Sequence, residues 1–359
     1  MDNMKLSQLE ILQCSLSSFT DCALISSDVN RRYFTGMKSS AGSLLVFEDK
    51  SYLIIDFRYI EKARKTVKNC EVVLQDKLYD QILELMKRHN AKKLSVEAEN
   101  VTISQLETLK KRLDCEIDSS CELSEAIKSV RVCKRDDEIE NIIKAQRIAE
   151  KGYEYMLDFV REGKTEREIQ LELDFFMLKN GAEALSFDTI ALSGKNTSLP
   201  HGVPTDKKVE KGEVVLLDFG AVVNGWHSDM TRTFCVGEPD DKMVKIYNIV
   251  LDAQMKALSA VKSGISGDEL DKIARDVIND AGYGEFFGHS LGHGVGMEIH
   301  EAPTASPSCK NILENGMIVT VEPGIYLPDE FGVRIEDFVV VTDDGCKNLT
   351  LSPKKLLCV

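Results

Sequence analysis

Short apolar runs and helical repeats alternate along the first third of the chain. Runs at 23–25, 43–47, 52–55, 72–74 and 94–96 have strand length, while the apolar residues of 4–14, 59–67, 79–88 and 102–112 recur at helical spacing. The pattern predicts an α/β unit with a mixed sheet. A charged stretch at 134–140 then leads into a helical pattern over 137–160, which places a domain border near Val132. Two domains are therefore expected, residues 1–131 and residues 132–359.

The second domain repeats itself. Gly163, Thr165, Glu168 and Gly181 recur as Gly264, Ser266, Glu269 and Gly282 at one constant offset. Each set reads as a helix that opens on a capping box and closes on a glycine suited to a left-handed C-cap. A longer helix precedes each, 137–160 and 240–261, and two strand runs follow each. In the first half the runs are 214–219 and 231–236, with Asn224-Gly225, the strongest short hairpin signal, between them. A two-residue turn there sets Val223 opposite Trp226, Gly220 opposite Asp229 and Asp218 opposite Thr231. Asp218 and Asp229 then share a face as diagonal neighbours, roughly 7 Å apart. In the second half, 317–321 leads into Glu322 and 332–342 carries Glu336, with Pro323-Gly324 and Pro328-Asp329 punctuating the connection. A period of two puts Arg334 on the face of Glu336, where its guanidinium can orient the carboxylate or meet a substrate carboxylate. The expectation is an α+β domain with a pseudo-twofold axis between two similar halves.

That symmetry gathers Asp218, Asp229, Glu322 and Glu336. Four carboxylates in one interior repel each other and resist desolvation unless cations neutralise them, so with His293 they predict a site for about two divalent ions. The rest of the chain narrows the field. Its 359 residues exceed what one core normally absorbs, and a net charge of −14 argues against binding nucleic acid. No apolar stretch approaches the roughly 20 residues that span a bilayer, and residues 1–10 have no apolar signal core, so no membrane role and a cytoplasmic location are expected. Ten scattered cysteines without a Cys-x-x-Cys pair read as reduced thiols and are given no chemistry.

The segments LPHGVPTDKKVEKGEVVLLDFGAVVNGWHSDMTRTFCVGEP, GHSLGHGVGMEIHEAP and VTVEPGIYLPDEFGVRIED resemble the signatures of pita-bread metallopeptidases. The Xaa-Pro branch, aminopeptidase P and prolidase, is the nearest in pattern. The resemblance covers essentially the whole chain and implies a creatinase-like N-terminal domain before a pita-bread catalytic domain. It makes Asp218 a ligand of one metal, Asp229 and Glu336 bridging ligands, and His293 and Glu322 ligands of the other. His201 and His300 match two further active-site histidines that stabilise the tetrahedral intermediate, and His289 matches a position lining the pocket for the residue after the cut. Glu322 is implied to move a proton from the attacking water, a bridging hydroxide, to the leaving nitrogen. His89 and His227 are read as structural. The oxygen-rich ligand set favours Mn²⁺, with Co²⁺ or Zn²⁺ as alternatives. Homodimerisation is the family expectation.

An Xaa-Pro bond has no amide hydrogen, so peptidases that bind that hydrogen fail on it. Proline-containing peptides are accordingly the expected substrates. One departure bears on which ones: many relatives have Arg after the HEAP segment, where this chain has Thr304. That Arg is a candidate partner for a substrate carboxylate, so its absence tips the reading to an Xaa-Pro aminopeptidase, with Xaa-Pro dipeptidase as the alternative. Methionine aminopeptidase shares the ligands but usually lacks such an N-terminal domain. A metal-free binding protein or creatinase-like hydrolase would have lost ligands.

Overall fold

The structure is a computed structural model that describes residues 6–359. It divides into two compact units between Arg131 and Val132. The first contains α1 (Gln8–Leu16), β1 (Cys22–Ile25), α2 (Asp28–Thr35), β2 (Ser43–Phe47), β3 (Ser51–Ile55), α3 (Ile60–Thr66), β4 (Glu71–Leu74), α4 (Leu78–Arg88), β5 (Lys93–Val96), α5 (Ile103–Arg112), β6 (Glu116–Asp118) and α6, which runs Glu122–Val132. Of the helix expected at 4–14, residues 4 and 5 lie outside the described residues.

The six strands make one mixed sheet in the order β4-β3-β2-β1-β5-β6. Neighbours β1–β2 and β2–β3 are antiparallel, whereas β3–β4, β1–β5 and β5–β6 are parallel. Strands β1, β2 and β3 are buried along their whole length, which explains why they read as unbroken apolar runs. Helices cover both faces: Leu9, Phe34, Ala63 and Ile127 lie in one cluster, and Ile82, Met86 and Leu109 in the other. His89 is structural in this unit, bonded to the Tyr52 hydroxyl at 2.8 Å and the Asp49 carboxylate at 2.9 Å, and stacked on Phe47.

The second unit opens with α7 (Asp136–Phe159) and α8 (Glu166–Lys179), followed by β7 (Ala184–Leu185), β8 (Ile190–Ser193), β9 (Val214–Phe219), β10 (Ala221–Val223), β11 (Trp226–His227) and β12 (Met230–Cys235). The second half runs α9 (Asp241–Ala260), α10 (Gly267–Asp280), β13 (Gly292–Gly294), β14 (Glu301–Ala305), β15 (Ile318–Val321), β16 (Gly324–Leu327), β17 (Phe331–Arg334), β18 (Asp337–Val341) and β19 (Cys346–Asn348). The repeat extends to hydrogen bonds. Both α8 and α10 open on capping boxes, Thr165 with Glu168 and Ser266 with Glu269. Gly163 N–H donates to Val209 O and Gly264 N–H to Leu313 O, each at 2.9 Å. These bonds tie the start of each short helix to the segment that leads into β9 or β15.

The Asn-Gly hairpin forms in the expected register, with Val223 opposite Trp226 and Asp218 opposite Thr231. Asn224 (φ 52°) and Gly225 (φ 86°) take the positive φ values of a type I′ turn. The second hairpin departs from expectation. The strand expected over 332–342 breaks at Ile335–Glu336, so β17 pairs with β16 whereas β18 pairs with β15. At the break the Glu336 N–H donates instead to Thr231 O of β12 at 3.1 Å. A cross-half bond thus replaces the ladder and brings Glu336 to the first hairpin. Among the described residues, no helix is long and apolar enough to cross a membrane.

Candidate metal centre

Each half delivers its acids from strand ends. Asp218 lies near the end of β9, and Asp229 lies just before β12; Glu322 follows β15, and Glu336 occupies the break. His293 comes from β13, a strand that can approach β15 because residue 292 is glycine: a Cβ there would fall 1.9 Å from Thr320 O. Donor atoms of Asp229, His293 and Glu336 all lie within 4.8 Å of one another. The His293 Nε2 atom is 3.4 Å from Glu322 Oε1 and 3.6 Å from Asp229 Oδ2. Asp218 joins the group by its charge, which acts on all three other acids.

Two threonines set the orientation of these side chains. Thr231 Oγ1 accepts from Arg334 Nε at 3.0 Å and donates to Glu336 Oε2 at 2.7 Å. Thr320 Oγ1 accepts from the His293 N–H at 3.0 Å and donates to Glu322 Oε1 at 3.1 Å. The His293 Nδ1 faces Gly294 O at 3.1 Å. A proton on Nδ1 satisfies that carbonyl and leaves the Nε2 lone pair facing the acids, as a metal ligand requires.

Electrostatics show what the cage lacks. Burial, then Glu336, Asp218 and Glu322, raises the Asp229 carboxyl well above the carboxylate range. Glu336 is raised likewise, by burial and then by Glu322 and Asp218. Burial also pushes Glu322 up to about 8, with Asp218 adding to the shift. Asp218 Oδ1 and Glu336 Oε1 are buried without a hydrogen-bond partner. Acids that repel each other around unmatched oxygens form a poor protein interior and a good cation cage. The residues therefore fit a pair of divalent ions.

The other candidate residues surround this cage. The His300 ring packs edge-on against His293, centroids 4.3 Å apart. Partial burial, then the neighbouring His293 and His201, lowers its pKa. His201 is exposed beside Pro200, whose carbonyl accepts from Arg334 Nη1 at 3.4 Å. Arg334 is 3 % exposed. Its remaining partners are Asp218 Oδ2 through Nη2 and the Tyr326 hydroxyl at 2.7 Å. With donors committed on every nitrogen, Arg334 orients Asp218; a bidentate grip on a substrate carboxylate would have to break those bonds. His289 is also fully engaged, Nδ1 with Ser290 O at 2.8 Å and Nε2 with Tyr326 OH at 3.0 Å. Burial lowers it to about 4, with Arg334 contributing next, so the ring is neutral at pH 7. Since Tyr326 OH accepts from Arg334, its own hydrogen goes to His289. Sequence reasoning missed Thr231, Thr320 and Tyr326; their hydroxyls have no spacing signature within strands.

Two family models cover the chain: the Creatinase/Prolidase N-terminal domain matches residues 17–133 and Metallopeptidase family M24 matches residues 140–343. The chain belongs to metallopeptidase family M24. It is 41% identical to the Xaa-Pro dipeptidase of Pyrococcus furiosus over 94% of this chain and 95% of that one. A solved Xaa-Pro dipeptidase from Bacillus anthracis superposes with a TM-score of 0.94 at 42% identity, covering 98% of this chain and 99% of its own. The X-Pro aminopeptidase from Thermotoga maritima gives 0.89 at 36% identity, covering 95% and 98%. The creatinase-like and pita-bread expectation for the fold is thereby confirmed, and as an M24 member the chain is a hydrolase that uses divalent metal ions.

Proposed function

We propose that the chain is an Xaa-Pro dipeptidase, hydrolysing the bond before proline in dipeptides. The observation that carries this reading is an acid-and-imidazole cage within a chain that matches Xaa-Pro dipeptidases nearly end to end. The preference inferred from Thr304 was the aminopeptidase; the likeness to two dipeptidases moves it to the dipeptide. Thr304 stands on β14 opposite His293, so the position is close to the site whichever substrate is taken. The aminopeptidase remains the second reading, favoured by the Thermotoga maritima enzyme.

In this reading Asp218, Asp229, His293, Glu322 and Glu336 hold two divalent cations, Mn²⁺ first. When bound, the cations supply Lewis acidity, making a water acidic and polarising the scissile carbonyl. Glu322, steadied by Thr320, takes the proton of the attacking water and returns it to the proline nitrogen, which must be protonated to leave. His300 and His201 would donate to the oxyanion as it forms. Arg334 holds Asp218 in place, and Tyr326 with His289 fixes Arg334 from behind. His289 presents its ring, not a free nitrogen, to the pocket.

The test is hydrolysis of an Xaa-Pro dipeptide and an Xaa-Pro-Xaa tripeptide by the purified apoprotein loaded with Mn²⁺. Faster cleavage of the dipeptide is expected. Cleavage of the tripeptide alone would transfer the assignment to the aminopeptidase, and cleavage of both at full rate under exhaustive chelation would remove the metal from the mechanism.

A further inference from the structure

Lys134 stands at the start of the catalytic unit, whose first residue is Val132. Its side chain is fully enclosed. The Nζ donates to Glu301 Oε1 at 2.6 Å and to Val132 O at 3.0 Å, and Glu301 is itself 10 % exposed. The backbone here is fixed as well: the Lys134 N–H donates to Gly316 O at 2.8 Å, and Cys133 bridges to Met317, immediately before β15. A charge is thus carried into the interior from an anchored segment.

The carboxylate that meets it closes a loop. Strands β13 and β14 shift register between His293 and Gly294, so His293 pairs with Thr304 whereas Gly294 pairs with Glu301. Residues 295–300 loop out between the last pair. Glu301 folds back over them: a Cβ on residue 296 would fall 2.2 Å from its Oε1, and its Oε2 accepts from the Glu298 N–H at 3.3 Å. Gly296 O in turn accepts from the His227 N–H of β11 at 2.9 Å. The last residue of the loop is His300, whose ring packs on His293.

A buried ion pair is weak evidence for stability, because apolar residues of the same volume often hold a fold as well. Its placement is more telling. The first half treats its own histidine segment alike: the fully buried Glu166 accepts from the Ser193 N–H at 2.8 Å and the Thr205 N–H at 3.0 Å, on either side of His201. In each half a buried carboxylate ties down the segment that carries one of the two histidines flanking the cage.

We propose that Lys134 and Glu301 are positioning residues for His300: their ion pair sets the 295–300 loop and, through it, the place from which the imidazole donates to the oxyanion. This rests on the role given to His300 under the proposed function. A displacement of about 1 Å at such a group can cost about 10²-fold in rate, so one buried pair is enough to govern it.

A cycle of variants separates positioning from folding. Lys134→Met with Glu301→Leu replaces both charges by apolar groups and strands neither. Unfolding temperature, and Mn²⁺ binding by calorimetry, should stay near those of the parent. Amides of residues 296–300 should exchange with deuterium about tenfold faster or more in the full chain. For the Mn²⁺-loaded enzyme on an Xaa-Pro dipeptide, kcat should fall about tenfold or more with KM little changed, since the donation acts in the transition state. His300→Ala should cost about 100-fold, and in that background the double replacement should cost nothing further. Glu301→Asp, which keeps the charge but shortens its reach, goes through the same cycle with the same expectation and serves if the double variant does not fold. An equal loss of kcat in both backgrounds would overturn the proposal, as would parental kcat or parental exchange in these variants while His300→Ala is slow. Parental turnover by His300→Ala would instead refute the oxyanion role of that histidine, and the proposal with it.

Discussion

Glu97 of the N-terminal unit and Glu336 of the catalytic unit are almost equally sealed from solvent, 0 % and 1 % exposed. Their surroundings differ completely. Glu97 accepts from the Ser26 and Ser27 N–H groups, the Ser27 hydroxyl and the Asn30 amide at 2.6–2.9 Å. Glu336 has one donor, Thr231, an orphaned second oxygen and three acids nearby. A single buried acid can be satisfied by donors that stand in for water. A group of acids also needs charge of the opposite sign, and here one guanidinium, Arg334, is paired with Asp218 while the other three carboxyls are pushed up toward their protonated forms.

The largest effect that sharpens this contrast is expected at Asp229. Asp229→Ala should lower metal-dependent turnover by about 10³-fold or more, because several kcal/mol of metal catalysis goes with the ligand. In the metal-free protein the same change should leave thermal unfolding unchanged or shift it upward, since removing an acid relieves repulsion. Near-normal turnover would break the cage assignment. Glu97→Ala should behave in the opposite way, costing about 3 kcal/mol in chemical denaturation by stranding buried donors, with metal stoichiometry unaltered. A stability loss for metal-free Glu336→Gln as large as for Glu97→Ala would erase the distinction.

The smallest effect concerns pH. Buried His289 titrates at about 4 in the folded chain against an ordinary 6.5. Between those values the unfolded chain binds the proton and the folded chain does not, so stability is full above pH 6.5 and declines as pH falls toward 4. Relative to His289→Gln, the parent should lose about 2 kcal/mol between pH 7 and pH 5. Parallel stability curves would mean that the ring is not held neutral.

Signals written into neighbouring residues were readable from sequence. Asn224-Gly225 determines its own turn, and that turn alone put Asp218 opposite Thr231. The two capping boxes likewise revealed the repeat. Helix α2 was missed although Ser27 caps it and Gly36 ends it in the left-handed region; Asn30 and Arg31 are buried on it, so its inward face does not read as apolar. The break at Glu336 escaped because 332–342 has the composition of one continuous strand, and a bond to Thr231, over a hundred residues away, interrupts it. Long-range polar bonds leave no periodicity. The same reason hid Tyr326 behind Arg334.

Thr320 makes two proposed ligand positions depend on one atom. Its oxygen receives the His293 backbone and hands its hydrogen to Glu322, so a change at this residue reaches an imidazole and a carboxylate of the cage together. Serine keeps the shared atom, whereas valine, equal in shape, removes it from both. In the proposed site, the fit of the cage to an ion would thus be adjustable from a residue outside the five proposed ligands.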